Sequence, residues 1–281
     1  MSDFLRSMAS NSAKRAASIG HAFTAKDFEL PTAPLEPGSF EIIAEIKERS
    51  PSAGVLSSPI AACATRAERA RQYRKGGAAA ISVLTEPASF GGDMSHLREV
   101  VAAVPGTPVM RKDFLTDVKQ VLEARAAGAS GVLLIAAILN DAELADMLDC
   151  AFEHSLFVLL ESFDHDDVAR MVRLLDVSRY ADKAANRKLL LGVNSRDLRT
   201  LEVEPARLAR FAPMLPAAAL AVAESGLAGP RDAAEVSSLG YRVALVGTAL
   251  MRAENPAALV SEMLAAGRAA TNAQQREAVT S

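Results

Sequence analysis

The sequence contains no tryptophan, only two cysteines and only four histidines among its 281 residues. Cys63 and Cys150 lie far apart and form no CxxC, which excludes a disulfide framework and a thiolate metal site. His21, His96, His154 and His165 fall in segments with no Ser-His or Cys-His pairing and no metal-ligand spacing. No apolar run reaches membrane-spanning length, and residues 1–25 lack the apolar core of a secretory signal. A phosphate loop of the form GxGxxG or GxxxxGKS/T is absent, which argues against a dinucleotide-binding open sheet. Lysine and arginine form no basic cluster, and the net charge of −3 gives no footprint for nucleic acid. These absences leave a cytoplasmic globular protein, half apolar, whose chemistry runs on lysine and carboxylate without metal or cofactor.

What is present is organised around residues 40–54. Ile42, Ile43, Ala44 and Ile46 make a nearly continuous apolar run, as in a parallel strand covered on both faces. Glu45 and Lys47 interrupt it two residues apart, a spacing that puts both side chains on one face of a strand. A carboxylate and an ammonium in a buried strand carry a large desolvation cost unless they are paired. The run stops at a turn, Ser50 to Gly54.

Beyond this stretch, short apolar strands alternate with alanine-rich helices. Strands are predicted at 41–47, 79–85, 108–113, 131–136, 157–161, 189–194, 220–224 and 243–247. Helices are predicted at 65–75, 94–101, 118–127, 141–154, 166–175, 207–211, 231–238 and 257–266. Eight such units close a (β/α)8 TIM barrel, an α/β fold of one domain over residues 41–270. Before it come a helix within residues 1–19, apolar on Phe4, Leu5 and Met8, and a proline-rich linker to residue 40. Residues 271–281 read as a disordered tail.

Polar residues gather at the carboxyl ends of the strands: Glu45, Lys47, Thr85-Glu86, Lys112-Asp113, Glu161, Asn194, Glu224 and Ser225. Alternate strands of such a barrel fill one layer, so two lysines and three carboxylates converge on one mouth. Crowding of this kind drives pKa values apart and creates acids and bases at neutral pH. The last two strands end in Gly226 and Gly247 beside Ser225 and Thr248, where open backbone N–H groups suit a phosphate.

The ordered blocks Glu45-Ile-Lys-Glu-Arg-Ser-Pro-Ser52, Ile81–Pro87, Arg111–Phe114, Asn194–Leu198, Ala223–Gly226 and Val246–Arg252 resemble the indole-3-glycerol phosphate synthase family. The resemblance implies a ribulose-phosphate-binding barrel with an extra amino-terminal helix over its mouth. It implies closure of 1-(2-carboxyphenylamino)-1-deoxyribulose 5-phosphate to indole-3-glycerol phosphate, with loss of carbon dioxide and water, in tryptophan biosynthesis. Lys112 then corresponds to the general acid at the C2′ carbonyl and Glu161 to the base of the dehydration. Lys47 corresponds to a second lysine near the substrate carboxylate. Glu45 and Asn194 would hold these groups, Arg196 would bind the anthranilate carboxylate, and Glu224 and Ser225 would line the polar wall. Ser50, Gly226, Gly247 and Thr248 would contact phosphate. The expected partner is a small phosphorylated substrate, with no nucleic acid or membrane, in a monomer or weak homo-oligomer.

The chain departs from the family pattern at Ser162-Phe163-Asp164 after Glu161, in a long polar connection over 176–188, and at Thr248 where serine is commoner. Two rival readings are a phosphoribosylanthranilate isomerase, which needs a cysteine and an aspartate at strand ends, and a silent sugar-phosphate-binding barrel.

Overall fold

The computed structural model describes residues 2–36, 38–50, 54–55, 65–196, 202–204 and 206–280, without the side chains of Ser50, Val55 and 277–280. Eight strands form a closed, wholly parallel barrel: β1 (Glu41–Ile46), β2 (Ala80–Leu84), β3 (Val109–Lys112), β4 (Gly131–Ile135), β5 (Phe157–Ser162), β6 (Leu189–Asn194), β7 (Leu220–Glu224) and β8 (Val243–Val246). Neighbours pair in chain order, and β1 closes the ring against β8 through Glu41 opposite Val243 and Ala44 opposite Val246.

Alternation along each strand decides which residues enter the barrel. Ile43, Ala80, Met110, Leu133, Phe157, Leu159, Leu190, Val222, Val243 and Leu245 pack together inside. Their outward neighbours, such as Ile42, Ile81, Val109, Val158 and Leu191, join a second core under the helices. Burial on both faces is why the strands read as unbroken apolar runs in the sequence. The same parity sends Glu45, Lys112, Glu161, Asn194 and Glu224 inward at the carboxyl ends, where they line one cavity.

The surrounding helices include α1 (Asp3–Ala17), α2 (Arg66–Lys75), α3 (Pro87–Phe90), α4 (Met94–Ala103), α5 (Val118–Ala126), α6 (Asp141–Glu153), α7 (His165–Leu174), α8 (Ser178–Ala185), α9 (Ala206–Phe211), α10 (Pro230–Ser238), α11 (Thr248–Arg252) and α12 (Pro256–Thr280). Most begin at an acceptor side chain, as at Thr65, Asp93, Asp117, Asn140 and Asp164, each bonded to a backbone N–H of the first turn. Two regions differ from the sequence reading. The polar connection over 176–188 is largely helix α8, which buries Tyr180 and Ala184 against the barrel. The tail expected from 271 continues α12 instead. Thr271 is fully buried, and its Oγ1 lies 2.7 Å from Ser237 Oγ of α10, so helix packing carries the chain past the predicted end.

Helix α1 crosses the carboxyl face of the barrel. Leu5 and Met8 are buried against the interior cluster, and Ser12 Oγ accepts from Gln120 at 2.9 Å. Arg15 donates to Asp113 Oδ1 at 2.5 Å, and Asp113 is also held by Thr85, Arg111 and its neighbour Phe114 N. The linker then leaves the mouth, and Leu35 joins the interior cluster. No helix of the described residues is long and apolar enough to cross a membrane.

Candidate active site

A cavity of about 370 Å³ opens at the carboxyl ends of the strands. Its chemistry starts at Glu45, 4% exposed, whose Oε1 lies 2.5 Å from Lys47 Nζ. Its Oε2 lies 3.9 Å from Lys112 Nζ, which donates to Glu161 Oε2 at 3.5 Å. Glu161 Oε1 accepts from Asn194 Nδ2 at 3.3 Å, and Asn194 Oδ1 accepts from the Arg196 backbone N–H at 2.9 Å. One connected network therefore runs from β1 through β3 and β5 to β6. Glu224 is 1% exposed; no N–H or O–H donor among the described residues reaches its carboxyl, whose neighbour is the Glu161 carboxyl.

Position sorts these groups into different charge states. Burial pushes Glu45 up, but Lys47 and then Lys112 outweigh it and hold the carboxyl below the usual range. Burial opposes the charge of Lys112, and Glu161 followed by Glu45 outweighs it and raises the lysine, so the ammonium persists. Glu224 has no cation contact strong enough to offset burial. Its desolvation and the charge of Glu161 push it well above the usual carboxylate range. The mouth thus combines a charged acid (Lys112), a charged carboxylate (Glu45) and a carboxyl driven toward its neutral form (Glu224).

The anion side of the cavity is different. Ser225 and Gly226 have φ of 68° and 77°, so two successive residues sit in the left-handed region. For Ser225 this conformation is strained. Ser195 holds it in place, since its N–H donates to Glu224 O at 2.9 Å and its Oγ donates to Ser225 O at 3.0 Å. Gly226, Gly247 and Thr248 line the same cavity. Just before α10, Asp232 Oδ2 accepts from Ala228 N at 2.7 Å and Gly229 N at 3.0 Å, so these two N–H groups already have an acceptor. Gly247 also has a second use. A Cβ there would lie 2.2 Å from Glu45 Oε1 and 2.8 Å from Lys47 Nζ, so its missing side chain makes room for that ion pair.

The sequence profile of the indole-3-glycerol phosphate synthase family matches residues 13–263. The chain belongs to that family. Among relatives bearing its name, the protein of Paenarthrobacter aurescens (strain TC1) is 43% identical over 230 residues, spanning 82% of this chain and 78% of its own. That of Nocardioides sp. (strain ATCC BAA-499 / JS614) is 45% identical over 222 residues, 79% of each chain. Family membership makes the chain a carboxy-lyase of tryptophan biosynthesis. Among solved structures, 3-hexulose-6-phosphate synthase from Salmonella typhimurium superposes with a TM-score of 0.60 at 16% identity, covering 81% of this chain and 98% of that one. At that identity the likeness speaks for the barrel fold alone.

Of the site residues expected from sequence, Glu45, Lys47, Lys112, Glu161, Asn194, Arg196, Glu224, Ser225, Gly226, Gly247 and Thr248 all line the one cavity. The Ser50 side chain and Cys63 lie outside the described residues, as do Asp197 and Leu198 of the expected family block. Two other strand-end carboxylates turn out to hold structure. Glu86 accepts from the N–H groups of Ala88, Ser89 and Phe90 and caps α3, while Asp113 anchors α1. Sequence reasoning missed an aromatic wall: Phe114 meets Phe4 edge-on with centroids 6.0 Å apart and Phe90 at 6.2 Å, and all three line the cavity. Phe4 was visible only as part of an apolar helix face, and nothing in the pattern tied the three together. The family departure at Ser162 is accommodated within the barrel wall, where Ser162 Oγ donates to Gly192 O at 2.7 Å. Cys150 sits half-buried on α6, and burial pushes its thiol to about 11, so this thiol does not supply an isomerase's acid–base cysteine.

Proposed function

We propose that this mouth converts 1-(2-carboxyphenylamino)-1-deoxyribulose 5-phosphate to indole-3-glycerol phosphate, carbon dioxide and water, with Lys112 as the acid that starts the reaction. The observation that carries the reading is a lysine kept charged between two carboxylates in the cavity at the barrel's mouth. As the ring carbon bonds to the C2′ carbonyl carbon, Lys112 protonates the carbonyl oxygen. Carbon dioxide then leaves, and the new hydroxyl departs as water with a proton from Lys47, while Glu161 takes the proton released in forming the indole double bond. Glu45 and Asn194 hold Lys47, Lys112 and Glu161 in register. General acid–base steps of this kind contribute about 10²–10⁴-fold each.

The substrate's two anionic ends suit the two sides of the cavity. Arg196 faces the anthranilate carboxylate, with the ring against Phe4, Phe90 and Phe114. Ser225, Gly226, Gly247 and Thr248 receive the phosphate through backbone N–H and hydroxyl donors. The protein's part in forming the C–C bond, losing carbon dioxide and losing water is proton transfer and carbonyl polarisation, which lysine and carboxylate supply without a cofactor. The reading places the enzyme in the cytoplasm, as a monomer or weak homo-oligomer.

The test is direct. Purified protein is given the carboxyphenylamino substrate, and indole fluorescence is followed with time. The chain has no tryptophan, so its own background is small. Absence of an indole signal with an intact fold overturns the reading.

A further inference from the structure

The middle of β6 carries a glycine where the barrel calls for a side chain. Residues 190, 192 and 194 point inward by strand parity; Leu190 joins the interior core and Asn194 bonds Glu161, but Gly192 between them has no side chain. Glycine inside a strand weakens it, and its presence marks a close approach by something else. Here the approaching group is the Glu224 carboxyl from the adjacent strand β7. A Cβ built on Gly192 would lie 2.3 Å from Glu224 Oε1 and 3.0 Å from Leu159 Cδ1. No real Cβ tolerates the first distance, whereas the second asks only a small shift of a leucine methyl.

We propose that Gly192 is a positioning residue of the synthase reaction, the vacancy in the barrel wall that lets the Glu224 carboxyl lie against the wall beside Glu161 instead of reaching further into the mouth. The proposal rests on the synthase reading given above. Its physical content is a choice of place for one carboxyl. Lying back, Glu224 is 1% exposed, has the Glu161 carboxyl beside it and receives no N–H or O–H donor among the described residues, a place that favours a neutral acid. Pushed away from the wall, it would reach further into the cavity it already lines, come closer to the ammonium of Lys112, and ionise more readily. A third carboxylate at that point makes Lys112 a weaker acid and takes up space meant for the substrate.

The colliding atom is the free end of a flexible side chain, so Gly192→Ala displaces Glu224 without requiring the barrel to move. Gly192 is not among the residues with positive φ, and alanine fits its backbone. The variant is therefore expected to fold with a thermal midpoint equal to or above the parent's. Its kcat should fall by about 10²-fold, the usual consequence of a misplacement near 1 Å at a catalytic centre. The basic limb of the kcat–pH profile, set by loss of the Lys112 proton, should move to higher pH, because an ionised carboxyl brought up to Lys112 holds its proton more tightly. Packing damage alone would not move it.

A double-mutant cycle isolates the cause. In a Glu224→Ala background, which itself lowers kcat, adding Gly192→Ala should change kcat by less than about threefold, because the group it displaces is gone. Equal losses from Gly192→Ala in both backgrounds overturn the proposal, as does an unchanged kcat for Gly192→Ala or for Glu224→Ala alone. If Gly192→Ala fails to fold, the double variant Gly192→Ala/Glu224→Ala should fold; failure of both overturns the proposal as well. Turnover by the parent protein is measured in the same series, so loss of the synthase reading is seen separately as a parent that makes no indole product.

Discussion

Glu45 and Glu224 flank the same strand, β8, and point into the same cavity, yet their acidities are pushed in opposite directions. Each is almost fully buried, and each lies against a glycine that leaves it room, Gly247 for Glu45 and Gly192 for Glu224. Burial alone would neutralise both. The difference is a cation at contact distance: Lys47 stands 2.5 Å from Glu45, whereas the neighbour of Glu224 is another carboxyl, Glu161. Two identical side chains are thus held one below and one above the usual carboxylate range by neighbourhood alone. The flank on β1, β3 and β5 is a charge network, and the flank on β6 and β7 is a place for uncharged polar groups.

The hardest way to break this picture is to remove the ammonium at its centre. Lys112→Met keeps a similar length but no proton to give, and kcat should fall by about 10²–10⁴-fold. Glu45 would keep its bond to Lys47, so stability should change little. A variant retaining more than about a tenth of parental kcat would move the acid elsewhere, Lys47 being the next candidate.

A smaller effect distinguishes the carboxylate end of the substrate from the rest. Arg196 is half-buried at the rim, and burial pulls its pKa below the usual arginine value while Glu45 opposes that. Arg196→Ala should weaken substrate binding by about 1.5–3 kcal/mol, the range for hydrogen bonds to a charged group. Binding of indole-3-glycerol phosphate, which lacks the carboxylate, should weaken far less. Equal loss for substrate and product in equilibrium binding would give Arg196 another task.

Most of the charged flank could be read from residue order, because strand parity alone sends Glu45, Lys112 and Glu161 to one side of the wall. The eight strands were recoverable for the same reason: doubly buried strands are apolar throughout, and helix starts such as Asn140 and Asp164 carry their own caps. What escaped was decided by space. Gly192 and Gly247 look like weak strand residues until their neighbours' oxygens are placed. Glu86 and Asp113 look like catalytic carboxylates until their backbone and arginine partners appear. Helix α8 escaped because its polar sequence buries only Tyr180 and Ala184. The end of α12 escaped because contact with α10, rather than periodicity, holds Thr271.

The mildest test sharpens the comparison most, since it reads the two glutamates by stability. For Glu45 the folded pKa is lowered. Its stabilisation is present above the ordinary glutamate value, near 4.3, and disappears as pH falls through the lower folded value. For Glu224 the folded pKa is raised. Its contribution is complete below about 4.3 and is lost as pH rises through the higher folded value. Glu45→Gln should therefore cost about 1–3 kcal/mol at neutral pH, leaving the Lys47 ammonium without its carboxylate, and the deficit should shrink on acidification. Glu224→Gln keeps the shape of the neutral acid and cannot ionise, so it should match the parent near pH 4 and become the more stable protein as pH rises. Chemical denaturation of parent and both variants across pH measures this. The two difference curves should slope in opposite senses: the Glu45→Gln deficit grows with pH while Glu224→Gln gains. If both variants lost stability together as pH rose, Glu224 would be a second charged, paired carboxylate and the two sides of the mouth would be alike.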